Sequence, residues 1–312
     1  MHSRADAREH DAPARGDRAR LSRRRRRIAP RPSARKPLTA TRLGIVGVGA
    51  IGGSIGLRAR RNGDHVVGAD RDDAGLEAAL EIGAIDAATS ADNLANDVDV
   101  LVIATHLEPT LREIARLARE GTRALLIVDV ASVKAPVAAA ARGLKNFVAT
   151  HPMAGTERSG VRAARADLFE GRTWAYVPSG DTELDRRAEG FIASLGALPV
   201  AMSAREHDAI VALTSHLPQI VGSCYGSALL GAGARAELLY GPVARELSRI
   251  STMGFEMWRD VLLANAANLE PELRRFAGDL ERVAAVLAAG DADALADFFS
   301  KAETGGEATR NR

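Results

Sequence analysis

The sequence predicts an α/β protein: a Rossmann-type doubly wound parallel sheet followed by an all-helical domain. Three observations predict it. Short apolar runs alternate with helical patterns from Thr41 to about Met202, the signature of βαβ units and a parallel sheet. A G-x-G-x-x-G stretch, Gly47 to Gly52, stands between the first apolar run and the first helical pattern. From Ser203 onward, apolar residues fall only at helical spacing.

Taken in order, RLGIVGVGAIGGSIGLRARRNG reads as strand, tight turn and helix. HVVGAD is a second strand and DAGLEAALEIGA a short helix. DVDVLVIAT is a third core strand, with the helix LEPTLREIARLARE behind it. RALLIVDVAS is a fourth, leading to a helix from about Ala135, and NFVATHP is a fifth. TWAYVPSG and GALPVAM are further strands with a helix around FIASL between them. Beyond them REHDAIVALTSHLPQIVGSCYGSALL, GPVARELSRIST and the long run from Phe255 are helical, and DADALADFFSKAE closes the series with Asp291 or Asp293 as N-cap. The expected organisation is a disordered Arg-rich extension over 1–40, a nucleotide-binding domain over 41–202, a helical domain over 203–304 and a flexible tail over 305–312.

The chain of 312 residues is long enough for two domains. Its formal charge of +2 hides a split: residues 1–40 carry 13 basic and 4 acidic residues, the remainder 29 and 36. A mildly acidic body argues against nucleic acid as a partner of the folded part. The extension has no apolar stretch to make a secretory signal, and it is neither Ser-rich nor acid-poor as a transit peptide would be. No apolar run reaches the roughly 18 residues of a membrane span. Cys224 is the one cysteine, so no internal disulfide forms and no zinc spacing exists. No metal and a reducing cytoplasm are the expectation. Cys224 itself reads as a small buried hydrophobe.

The glycine loop carries the first chemistry. Gly47 permits the tight turn, Gly49 lets backbone approach a pyrophosphate, and Gly52 allows helix and strand to pack closely. The helix start at Ala50, Ile51 and Gly52 offers N–H groups to phosphate. Asp70 ends the second strand, 18 residues past Gly52. A carboxylate there accepts from ribose hydroxyls and repels a 2′-phosphate, which selects NAD; Arg71 beside it keeps NADP open. Thr105, at the end of the third strand, is a further cofactor-binding candidate.

HPMAGTERSG, residues 151–160, reads as a loop with chemistry on it. His151 lies one step past a strand's carboxyl end, where open α/β sheets bind ligands. Pro152 keeps the residue before it extended. Ser132 lies past the end of the preceding strand, where a hydroxyl would fix the imidazole tautomer and leave the other nitrogen as a base. Lys134 reads as a solvated charge and His207, in REHD, as a solvated or helix-start residue. By pattern alone His216 is a hydrogen-bonded core histidine, Arg249 a helix-surface charge and Trp258 a core residue.

GVGAIGGS, DVASVK, HPMAGTERSG, TSHLP (Thr214–Pro218) and SRI…W (Ser248–Trp258) together resemble the prephenate/arogenate dehydrogenases of tyrosine biosynthesis, over about Leu43 to Ala302. The resemblance implies NAD-dependent oxidative decarboxylation of prephenate to 4-hydroxyphenylpyruvate, or of arogenate to tyrosine. It implies that His151 removes the ring-hydroxyl proton, with Ser132 orienting it. Glu157 would sit at the mouth of the site, His216 would contact substrate, Arg249 would bind a substrate carboxylate and Trp258 would line the pocket. It also implies a small-molecule substrate and a homodimer formed through the helical domain. Two departures stand out: His106 and Glu108 in THLEPT, and Gln219 where family members often carry histidine.

Three other readings compete. A sibling enzyme would act on an amino-substituted prephenate in secondary metabolism. A β-hydroxyacid dehydrogenase would need a catalytic lysine in the helical domain, and residues 203–289 contain none. A redox sensor would bind NAD without turnover and leave His151, Ser132 and Arg249 unexplained. The chain leaves too little room for a chorismate mutase module or a regulatory domain, so any inhibition by tyrosine is expected at the active site.

Overall fold

The structure is a computed structural model that describes residues 41–155, 158–252 and 254–310. The Arg-rich extension over 1–40 and Glu157 lie outside the described residues. The chain begins with β1 (Arg42–Val46), α1 (Ala50–Arg61), β2 (His65–Ala69), α2 (Asp73–Glu81), β3 (Ala87–Ala88) and α3 (Ala91–Leu94). It continues through β4 (Val100–Ile103), α4 (Leu107–Glu120), β5 (Leu126–Asp129), α5 (Ala135–Ala140) and β6 (Phe147–Val148). These six strands form one parallel sheet in the order β3-β2-β1-β4-β5-β6, the doubly wound order the sequence predicts.

Alternate residues along each strand feed opposite layers, as the pleat requires. Leu43, Ile45, Val66, Val102, Leu126 and Val128 join one core with Ile55 and Phe169. Val67, Leu101, Ile103 and Ile127 join the other with Ile114 and Leu117. A sheet covered on both faces needs near-continuous apolar strands, which is why VLVI and LIVD lack a polar face.

The fifth expected strand divides. Phe147–Val148 pairs with β5, and after Ala149 the chain turns into β7 (Thr150–Pro152). β7 runs antiparallel to β8 (Thr173–Tyr176), and β9 (Leu198–Ala201) lies parallel on the far side of β8. α6 (Thr182–Ser194) connects β8 to β9. His151 therefore sits in a short strand opposite Ala175, and the expected loop begins only after Pro152. Two causes combine: the residue before a proline is driven into extended geometry, and β8, more than twenty residues on, supplies a partner.

The helical part starts with α7 (Ala204–Val211), whose N-cap Ser203 accepts from the Glu206 N–H at 3.1 Å. A π-helical turn over Ala212–His216 follows, then α8 (Leu217–Gly231). Pro218 has no N–H to give the carbonyl four residues back, and the ladder widens just before it. α9 (Ala234–Glu237), α10 (Pro242–Ile250), α11 (Phe255–Ala264), α12 (Ala266–Ala289) and α13 (Ala292–Arg310) complete the chain. α13 runs past residue 305, where the sequence predicts a tail. α8 and α10 approach closely because α8 carries glycine at the contact: a Cβ on Gly222 would lie 2.8 Å from the Ile250 side chain. Cys224 is exposed on α8, not buried as expected, because the contact face of that helix is taken by Gln219, Gly222 and Gly226. No described helix is long and apolar enough to cross a membrane.

Candidate active site

Two structures meet at the carboxyl edge of the sheet. The first is the glycine loop. Gly47 has φ +93°, and a Cβ there would fall 2.6 Å from the Ala104 carbonyl and 2.8 Å from Thr105 Cγ2. The loops after β1 and β4 thus touch at the point where strand order reverses. A Cβ on Gly52 would lie 2.1 Å from the Gly47 carbonyl, so only glycine lets α1 begin this close. A Cβ on Gly49 would meet nothing within 4 Å. Among the described residues no side chain caps α1, which leaves its first-turn N–H groups for solvent or a ligand. Asp70 Oδ2 accepts from the Val48 N–H at 2.7 Å and Oδ1 from the Asp72 N–H at 3.1 Å. Each oxygen keeps capacity for a second donor. An open helix N-terminus beside an anchored carboxylate fits a dinucleotide. Thr105 Oγ1 is held 2.9 Å from Thr110 Oγ1, and Arg71 is exposed next to Asp70. Glu108, one of the two departures noted above, pairs with Arg112 on the surface of α4.

The second structure is a polar cluster built by β5, α5, β7, α7, the π turn and Asn265. Lys134, expected to be solvated, is fully buried. Its Nζ pairs with Asp129 and donates to the Thr150 carbonyl at 2.6 Å. Asp129 Oδ1 accepts from the Thr150 N–H at 2.8 Å, and the Thr150 hydroxyl donates to the Asp129 carbonyl. Burial pulls the Lys134 pKa down, and the Asp129 charge opposes it. A buried cation survives only with such partners. The result fixes the backbone one residue before His151.

His151 Nδ1 lies 2.9 Å from His207 Nε2, and His207 Nδ1 lies 2.7 Å from Asp208 Oδ1. Asp208 also accepts from the Lys134 N–H at 2.7 Å and the Ala135 N–H at 2.8 Å, so it caps α5 from the helical part. Burial works against its charge, but the bonds from His207 and these two N–H groups hold its pKa below the usual carboxylate value. Burial first, then the nearby Lys134 ammonium, hold His151 well below the usual histidine value. His216 is 1% exposed, and burial lowers it to about 4. Asn265 Nδ2 donates to the Asp208 carbonyl at 2.8 Å and lies 3.1 Å from His216 Nδ1. The Trp258 ring meets His216 edge-on at 5.9 Å, and its Nε1 has no partner among the described residues.

The sequence expectations fare unevenly. His151, His216 and Trp258 converge. Ser132 does not hold the imidazole: among the described residues, the partner of His151 Nδ1 is His207, which takes that nitrogen at hydrogen-bond distance. His207, expected in solvent, is 1% exposed. The sequence reading missed His207, Asp208 and Asn265. The signal was present: His207, Asp208 and Val211 share the buried face of α7 at helical spacing. Arg249 is half-exposed near the end of α10 and pairs with Glu246. Gln219, the other departure noted above, donates to the Ile250 carbonyl at 3.0 Å, which ties that end of α10 to the helix start just after His216.

Comparison with known proteins matches residues 55–196 to the prephenate dehydrogenase nucleotide-binding domain and residues 203–301 to the prephenate dehydrogenase dimerization domain. A prephenate dehydrogenase of Bacillus subtilis (strain 168) is 32% identical over 278 residues, covering 83% of this chain and 73% of the relative. A probable prephenate dehydrogenase of Streptomyces niveus is 36% identical over 246 residues, covering 76% of this chain and 66% of the relative. Among solved structures, prephenate dehydrogenase from A. aeolicus in complex with hydroxyphenyl propionate and NAD+ superposes with TM-score 0.80 at 24% identity, over 88% of this chain and 100% of that one. Matched to both domains of one family along most of its length, the chain belongs to the prephenate dehydrogenase family.

Proposed function

We propose that the protein catalyses NAD-dependent oxidative decarboxylation of prephenate, or of its amino counterpart arogenate, with His151 as general base. The observation that carries this reading is a neutral imidazole at the carboxyl edge of the sheet, braced by His207 and beside an open cradle for a dinucleotide. When bound along Gly47–Gly52, with its ribose at Asp70, NAD+ supplies the hydride acceptor.

The residues do the rest. His151 Nε2 takes the ring-hydroxyl proton while the neighbouring C–H bond breaks. Carbon dioxide leaves the opposite ring carbon and the ring becomes aromatic, which drives the reaction forward. A base placed this way typically adds about 10²–10⁴-fold, and orientation against the cofactor adds several kcal/mol more. His216 and Trp258 form the substrate side, where a neutral histidine and an indole N–H offer hydrogen bonds without adding charge. Arg249 is the anchor for a substrate carboxylate, which its guanidinium can bind in two-pronged fashion. The helical part exposes large apolar side chains, with Leu230, Leu238 and Leu239 each more than 80% exposed. A face like this supports a homodimer formed through the helical part.

The test is NADH formation with NAD+ and either prephenate or arogenate, with carbon dioxide measured alongside. Turnover with equal yields of NADH and carbon dioxide is expected on at least one substrate. NAD+ binding without turnover on either would contradict the proposal.

A further inference from the structure

We propose that His207 and Asp208 form a relay behind His151, in which His207 sets the tautomer of the base and then receives its second proton. The inference rests on the dehydrogenase reading above. It starts from hydrogen-bond roles that leave one consistent assignment. An ionised carboxylate accepts only, so Asp208 Oδ1 takes a proton-bearing nitrogen, and that nitrogen is His207 Nδ1 at 2.7 Å. A neutral His207 then has a lone pair on Nε2. That lone pair lies 2.9 Å from His151 Nδ1, which must donate to it. His151 Nε2 is left unprotonated, and this is the nitrogen a base needs.

The surroundings then decide where charge can rest. His151 is flanked by Lys134 from the start of α5, paired with Asp129 from β5, and by His207 and His216 from the helical part. Burial and the Lys134 ammonium both oppose a cation at His151. His207 has the Asp208 carboxylate against its Nδ1 at 2.7 Å, an opposite charge that His151 lacks among its described partners. When the substrate proton arrives at His151 Nε2, the proton on His151 Nδ1 passes to His207 Nε2. One N–H bond forms on each imidazole and one breaks on His151. The product state is a neutral His151 and a positive His207 against Asp208. The positive charge then lies against the Asp208 carboxylate instead of on His151. Asp208 is pinned by the N–H groups of Lys134 and Ala135, and its backbone by Asn265, so the relay is rigid across the junction of sheet and helices. His207 touches no reacting atom and acts through His151, so its role is positional.

Two measurements test this. The first needs no turnover: 15N spectra of the histidine side chains in the full chain, which has seven histidines, few enough to assign by substitution. The expected result is a proton on Nδ1 of both His151 and His207. A proton on Nε2 of His151 overturns the relay. The second compares wild type with His207→Gln and His207→Phe, reading kcat, KM, NAD+ affinity and rate in mixtures of light and heavy water. Gln keeps an acceptor for His151 but cannot take its proton. We expect about a tenfold loss of kcat for Gln and about a hundredfold loss for Phe, the scale of a misoriented base, with KM within about threefold. Wild type should show two protons in flight and the Gln variant one. If wild type turns over and the Gln variant keeps two, the relay is wrong while the dehydrogenase reading stands. If wild type does not turn over on either substrate, the reading itself falls, and the spectra alone decide the tautomers.

Discussion

The sheet half and the helical half of this molecule are built on different terms. Around the sheet, two cores gather dozens of buried apolar side chains, among them Ile45, Ile55, Val102, Ile114, Val128 and Trp174. In the helical half the buried cluster is Ala212, Leu217 and Leu269, with a few half-buried neighbours. The same half exposes Leu230, Leu238, Leu239, Val243, Phe255 and Leu263 at 70% or more. The first half satisfies itself. The second keeps apolar surface in reserve, and burying a leucine is worth about 1.5–3 kcal/mol. The difference teaches where function can sit. The proposed cofactor cradle lies wholly within the self-sufficient half, and the proposed substrate side draws on a half that needs covering. The polar cluster around Asp208 is the seam between them.

The seam offers the largest effect. Lys134→Met strands Asp129 in the interior, and losing one partner of a buried pair costs about 3–5 kcal/mol. Urea unfolding should show that loss, with part of it recovered in the double variant Asp129→Asn, Lys134→Met. A change below about 1 kcal/mol would mean the seam is not what holds Thr150 and His151. Next comes the exposed face. Leu239→Glu should weaken self-association by about 2 kcal/mol, roughly 30-fold, and leave NAD+ affinity unchanged; sedimentation equilibrium across concentration would read it. A variant that loses cofactor binding as well would erase the distinction between the halves.

Smaller effects sharpen the same contrast. Gly49→Ala adds a Cβ where nothing lies within 4 Å, so stability should hold while cofactor affinity falls by about tenfold, ~1.4 kcal/mol. Equal loss of both would mean the cradle is not open. The smallest effect is on acid stability. His151 and His216 are held neutral in the fold, the latter down to about 4. Below the unfolded value near 6.5 the unfolded chain binds protons that the folded chain does not. Stability should therefore be complete above about pH 6.5 and decline as pH falls from there toward 4. A thermal midpoint unchanged between pH 7 and pH 5 would contradict this.

Much of the sheet half was legible in the sequence, because its signals are local. A run such as VLVI followed by a helical period, or GVGAIG after LGIV, specifies its own surroundings. β3 escaped because a two-residue strand has no period to read. The division of NFVATHP between two sheets escaped because it depends on β8, more than twenty residues on. Of the candidate site, the sequence carried the positions of residues that stand near strand ends, as His151 and Asp70 do. The site was not legible where partners come from across the seam. Lys134 looks solvated until Asp129 and Thr150 close around it, and His207 looks like a helix-start residue until β7 brings His151 to its ring. Burial of a charged residue is a tertiary fact, and the sequence carries only the helical face on which His207 and Asp208 travel together.

The most direct test of the account is His151→Asn beside wild type, with NADH formation and NAD+ binding measured on the same preparations. The expected result is a fall in kcat of about 10²–10⁴-fold with cofactor affinity unchanged, since the proposed cradle lies at Gly47–Gly52 and Asp70, apart from the polar cluster. A variant that turns over within a few-fold of wild type would contradict it, because the proton would then have another acceptor.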